Sequence, residues 1–295
     1  MHPAAESSAR ARIALAVAAA VAAMLIYGGQ FVVSRWSMQR TLSLWDLAAL
    51  RFAVAGLLCL PLALRRGAGV GWGRLLVMAA AVGAPYTLVL YAGLTLAPAA
   101  HGAVIITGGT PVLSALLSWA WLGERPRAAS VAGFVTIVAG LVLVGSPGLR
   151  GGTGSRVWLG DLFFVVAGVM WALYTVCARR WHADPLRVTA AVWALALLYV
   201  PIYAAAAGGR LLAAPRGEVV FQAVYQGVGV AIVALALYSF AIRVLGASAA
   251  ALFMPLTPVF GVLLGVPVLG EVPGAVQVIG MLAVMVGMVA ASVRR

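Results

Sequence analysis

Charge is what this sequence has least of. Asp, Glu, Lys and Arg make up only 9% of its 295 residues, against about 25% in soluble domains, while 64% are hydrophobic. A water-facing surface cannot be built from that inventory, which excludes a soluble globular protein. Acids are scarcer still, with seven Asp and Glu set against 20 basic residues, all of them arginine. The resulting +13 is not the footprint of a nucleic-acid binder, because the arginines fall between apolar runs and no polar region is long enough for a recognition module. Cysteine is nearly absent. Cys59 and Cys177 lie in separate apolar runs without CxxC or Cys/His company, so neither a disulfide framework nor a metal site is expected.

What the sequence does have is apolar stretches of about 20 residues, each long enough to cross a hydrocarbon core of about 30 Å as a helix. Charges, Gly/Pro clusters and aromatics place ten of them near 10–36, 42–66, 71–96, 98–122, 127–146, 157–181, 184–206, 218–244, 245–269 and 273–293. The first follows Arg10 and Arg12 like a signal peptide, but its apolar run is too long for one and is read as a retained helix. Trp36, Trp45, Trp72, Trp119, Trp121, Trp158 and Trp181 fall at span ends, where amphipathic rings settle at the headgroups. Thirteen arginines then flank the side bearing both termini, six the opposite side, and Arg51 lies within span two. The excess of positive charge predicts cytoplasmic termini in a bacterial-type plasma membrane.

The sequence also repeats itself. Thr110-Pro111-Val112 recurs as Thr257-Pro258-Val259, and Leu122-Gly123-Glu124 with Pro126 recurs as Leu269-Gly270-Glu271 with Pro273. Gly133 and Gly140 match Gly280 and Gly287 at the same offset, and Tyr27-Gly28 aligns with Trp171-Ala172. The halves are therefore 1–148 and 149–295, five spans each. Five is odd, so the second half enters from the opposite face, an inverted-topology repeat. The predicted fold class is all-α integral membrane, ten transmembrane helices as two inverted five-helix repeats.

Both copies of the Pro and Leu-Gly-Glu signature, with Trp171, Tyr174 and Arg179-Arg180, resemble the drug/metabolite transporter superfamily, specifically its EamA-type members. The resemblance spans essentially the whole chain, although Tyr27-Gly28 stands where Trp-Gly is usual and Arg51 has no basic counterpart in span seven. It implies export or exchange of small metabolites, with amino-acid exporters prominent among similar proteins, and implies no cofactor.

Polar and aromatic groups in mid-membrane face partners or water, so they mark a pathway. Tyr27, Gln30, Tyr91 and His101 fall in the outer half of the proposed topology; Trp171, Tyr174 and Tyr238 fall in the inner half. Tyr86, Trp193, Pro111 and Pro258 lie near mid-depth, where a carrier holds its substrate between repeats. The prolines free backbone carbonyls for substrate or bending, or merely kink their helices. His101 binds or senses protons, or holds a loop. Each aromatic stacks on a substrate ring or fills the bundle. Arg51 pairs with Asp46, about 7.5 Å away along the helix, or attracts a substrate carboxylate; the sequence leaves both open. Glu124 and Glu271 follow Leu-Gly and read as helix-boundary residues, because a helix start favours a nearby carboxylate. The glycine stripes suit close packing within one chain or between two, so monomer and homodimer both stand.

The expected function is secondary transport of small neutral or zwitterionic metabolites, amino acids including aromatic ones, by alternating access. No Asp or Glu sits at mid-membrane, which disfavours a proton antiporter for cationic drugs. A passive channel for a small polar solute, or export of another metabolite or drug, are the alternatives. An enzyme is not expected: no Ser/His pair, metal set or paired acids group together, and Ser248 lacks a nucleophile elbow. No Walker motif is present either. The expected partners are a small-molecule substrate and the lipid bilayer, without nucleic acid.

Overall fold

The computed structural model describes residues 3–150, 156–207 and 210–292. Ten helices among them are long and apolar enough to cross a membrane. We number them α1 (Arg10–Met38), α2 (Leu44–Arg66), α3 (Trp72–Leu96), α4 (Ala99–Leu122), α5 (Ser130–Gly148), α6 (Val157–Arg180), α7 (Pro185–Ala206), α8 (Arg216–Leu245), α9 (Ser248–Leu269) and α10 (Ala275–Ser292). They coincide within a few residues with the spans expected from the sequence. Arg294 and Arg295, counted above toward the terminal side, lie outside the described residues.

The polar residues at helix ends explain where the spans start and stop. Ser43 and Asp46 form a capping box on α2, the Asp46 carboxylate accepting the Ser43 N–H at 2.7 Å. Asp184 caps α7 by accepting from the N–H groups of Leu186 and Arg187 at 2.9 and 3.2 Å. The glycine of each Leu-Gly-Glu motif has a conformational task. Gly123 (φ 72°) and Gly270 (φ 68°) adopt the left-handed conformation that closes α4 and α9. In both, the glutamate N–H reaches back to the final turn, Glu124 to Ser118 O and Glu271 to Gly265 O.

Helix pairing carries the symmetry. α1 packs on α8 and α9, and their counterparts repeat the arrangement, α6 packing on α3 and α4. α2 meets α8 as α7 meets α3, while α2 with α7, α4 with α9, and α5 with α10 pair across the pseudo-two-fold axis. This is the pattern of two inverted five-helix repeats. At α5 and α10 the heptad-spaced glycines face one another. A Cβ on Gly140 would stand 2.6 Å from Gly280 O, and one on Gly287 would stand 2.7 Å from Gly133 O. The glycine stripe is thus occupied within the chain.

Several spans are irregular. α3 breaks at Gly83, just before Pro85, which cannot donate the next helical hydrogen bond. α9 breaks over residues 252–255 and restarts at Leu256. α8 is π-helical over Ala223–Val233. α4, by contrast, runs unbroken through Pro111.

The two ends of the bundle are packed differently. The main core cluster, with Phe31, Leu47, Phe52, Leu90, Tyr91 and Phe164, fills the half away from the termini. Hereafter this is the far side, and the face bearing both termini is the terminal side. Outward-facing residues such as Leu58, Leu64, Val135 and Val286 are exposed, as a surface solvated by acyl chains requires.

Candidate substrate site between the repeats

At the centre lies Arg51. It is buried, at 6% exposure, and reaches from α2 toward α1 and α7. Its Nη1 donates to Gln30 Oε1 at 3.3 Å, and its guanidinium lies 5.1 Å from the Trp193 ring centre. Tyr27 and Tyr86 stand within electrostatic reach of the same cation, and Tyr238 within reach of Tyr27. Phe52, the next residue of α2, packs its ring 6.2 Å from Trp193 and 5.3 Å from Tyr199. α1, α2, α3 and α7 thus contribute around one point between the halves.

Of the two partners the sequence offered Arg51, Asp46 is otherwise engaged. Its carboxylate belongs to the capping box and also accepts from the Tyr203 hydroxyl. Among the described residues, no carboxylate lies within 4.0 Å of Arg51.

A second group of rings extends from Tyr86 toward the terminal side. Tyr86 and Trp171 lie 5.5 Å apart between centroids, and Trp171 and Tyr174 lie 6.1 Å apart. Tyr86 is buried while Trp171 is 39% exposed, so the row runs from packed interior to open surface. Tyr91 stands within electrostatic reach of Tyr86 but is fully buried in the far-side core, its hydroxyl unpartnered. Pro258 occupies the first turn after the break in α9, next to Thr257, whose hydroxyl meets Met24 Sδ at 3.2 Å.

His101 lies elsewhere, in a polar chain that ties α4, α6 and α10 together near the far surface. Gly274 N–H donates to Gln277 Oε1 at 2.8 Å, and the Gln277 amide donates to His101 Nε2 at 2.7 Å. The opposite ring nitrogen then donates to Asp161 Oδ1 at 2.8 Å, a proton placement inferred from these partners. Beside it, a cleft of about 120 Å³ is lined by Pro98, His101, Glu271, Pro273 and Gln277.

Glu271 closes this end. One carboxylate oxygen takes the Arg35 Nε–H and the other accepts from Ala99 N–H at 2.8 Å, while Arg35 also donates to Leu94 O. Glu271 therefore serves a helix start, though that of α4 instead of the following α10. The corresponding pair on the terminal side is Arg179 with Glu124, at 2.5 Å. Exposure separates the two: the side chains of Arg35 and Glu271 are each 15% exposed, those of Arg179 and Glu124 53% and 50%.

Sequence reasoning missed the ladder that fastens α1 to α8 on the far side. Gln222 donates to Val33 O at 2.9 Å and Ser37 Oγ at 2.8 Å, and Gln226 donates to Ser34 Oγ at 2.8 Å. The signal was available, because two glutamines one turn apart in an apolar span must find partners.

An inverted ten-helix bundle with its polar centre between the halves has the architecture of a membrane transporter, and comparison with known proteins agrees. The sequence profile of the EamA-like transporter family matches residues 14–146 and again 158–293, one match in each five-helix half. The chain belongs to this family, and it is a membrane transporter of the drug/metabolite kind. An uncharacterized transporter of Archaeoglobus fulgidus is 26% identical over 274 residues, covering 90% of this chain and 92% of that protein. A solved crystal structure at 24% identity superposes with a TM-score of 0.60, covering 94% of this chain and 96% of the other. That likeness bears on the fold alone.

Proposed function

We propose that the protein is a secondary carrier for small metabolites, amino acids with aromatic side chains among them, working by alternating access with both termini in the cytoplasm of a bacterial-type plasma membrane. The observation that carries this reading is the contrast between its two pseudo-symmetric ion pairs. The far-side pair is largely shielded, each side chain 15% exposed, and also holds the start of α4, whereas its terminal-side counterpart is half exposed. One repeat arrangement is then closed and the other open, and an inverted repeat can exchange them. In this state the rings of Trp171 and Tyr174 line the approach from the open side, leading to Tyr86, Trp193 and Arg51. Substrate enters from the cytoplasm, which suits export.

Counterflow in proteoliposomes tests the proposal. Labelled phenylalanine is expected to enter saturably and to enter faster when unlabelled phenylalanine is loaded inside. Uptake that neither saturates nor responds to internal substrate identifies a channel instead. Absence of amino-acid uptake, with exchange of some other metabolite, removes the amino-acid assignment and leaves a carrier.

A further inference from the structure

Arg51 is the only arginine buried among the described residues, and none of their carboxylates lies within 4.0 Å of it. A guanidinium carries five N–H donors. One goes to Gln30 and the face rests on Trp193, while Nε is buried without any partner. A desolvated cation held this way is costly, and membrane proteins retain such groups where they act on a passing solute. The scaffold does not require it, because the matching helix α7 carries its one basic residue, Arg187, at its first turn and none at comparable depth.

We infer that Arg51 binds the carboxylate of the transported molecule and thereby selects small monocarboxylates with an apolar or aromatic body. The planar fork of a guanidinium matches a carboxylate in two parallel hydrogen bonds, and one positive charge balances one carboxylate. Trp193, Phe52 and Tyr86 supply flat apolar walls beside it. Among the described residues no acid stands at this depth to receive an ammonium group, so the amino group of a substrate is dispensable and an amine without a carboxylate is refused. This rests on the proposal that the space between the repeats is the substrate site, and it narrows the substrate class that site accepts.

The test is ligand-induced thermal stabilisation of the purified full chain in detergent. The probes are phenylalanine, 3-phenylpropionate, their amides (of which 3-phenylpropionamide is neutral and phenylalaninamide keeps its amino group) and phenethylamine. Phenylalanine and 3-phenylpropionate are expected to stabilise the wild type with similar affinity, and the amides and the amine to bind about 10- to 100-fold more weakly. In Arg51→Gln the acids lose that advantage. Arg51→Lys keeps the preference but binds the acids about tenfold more weakly, since an ammonium lacks the fork. Amides that bind the wild type as well as acids overturn the inference, as does an acid preference that survives in a folded Arg51→Gln protein, or a wild type that binds no acid. Comparing acids with amides on the wild type decides the matter even if the glutamine variant does not fold. Acid binding without trans-stimulated exchange removes the carrier and leaves the role of Arg51, whereas exchange indifferent to the carboxylate does the reverse.

Discussion

His101 joins three helices through both ring nitrogens, and the cost of removing it follows from what it leaves behind. In His101→Ala the Asp161 carboxylate, already without a partner on Oδ2, loses its remaining one in a buried position. The expected loss is about 3 kcal/mol, read as a lower unfolding temperature in detergent. Asp161→Asn keeps an acceptor for the imidazole and is expected to cost less than about 1.5 kcal/mol. At this scale the sequence identifies which residues matter better than whom they touch. Arg51 stands out as the one basic residue inside a span, yet whether it faces Asp46 or the centre depends on the packing rotation of α2, which spacing along the chain does not determine. Glu271 reads as a boundary residue from its neighbours Leu269 and Gly270. Its partner Arg35 is brought to it only by the folding of one half against the other.

α5 and α10 approach within backbone contact, and their glycines allow it. Gly140→Val would drive side-chain atoms into the carbonyl of Gly280, forcing the pair apart at a cost of about 2–3 kcal/mol, measurable by thermal unfolding. The exposed face of α10 tolerates such a change; Val286→Ala, which faces outward, is expected to shift stability by less than about 0.5 kcal/mol. The far-side closure offers a kinetic test. Glu271→Gln weakens the hold on Arg35, so a cysteine placed at the buried position of Ser34 is expected to react several-fold faster with an impermeant maleimide, while Glu124→Gln leaves it unchanged. Span limits were legible because caps and left-handed glycines act locally, within a few residues. Pro111 and Pro258 match and do not distinguish α4 from α9; the break in α9 ends at Pro255, which stands where α4 has Gly108, while the wide turns of α8 carry no comparable mark.

For the molecule as a whole, the inverted repeat was legible because an odd number of spans leaves the second half no other orientation. The state of closure was not, since both halves carry the same motifs and only side-chain exposure distinguishes their ends. Orientation in the membrane rests on arginine distribution, and a reporter fused to the C-terminus is expected to be active only in its cytoplasmic form; activity restricted to the outside would invert every side assigned above. The backbone contact between α5 and α10 has one more consequence. Because these helices belong to different halves and meet backbone to backbone at their glycines, with Ile137 and Val144 packed among Met281, Val284 and Met288, each half carries a docking face complementary to the other. Covalent continuity is then dispensable for assembly: residues 1–148 and 149–295, produced as two polypeptides in one cell, are expected to co-purify as a complementing pair, and Gly140→Val in the first polypeptide to abolish their reunion.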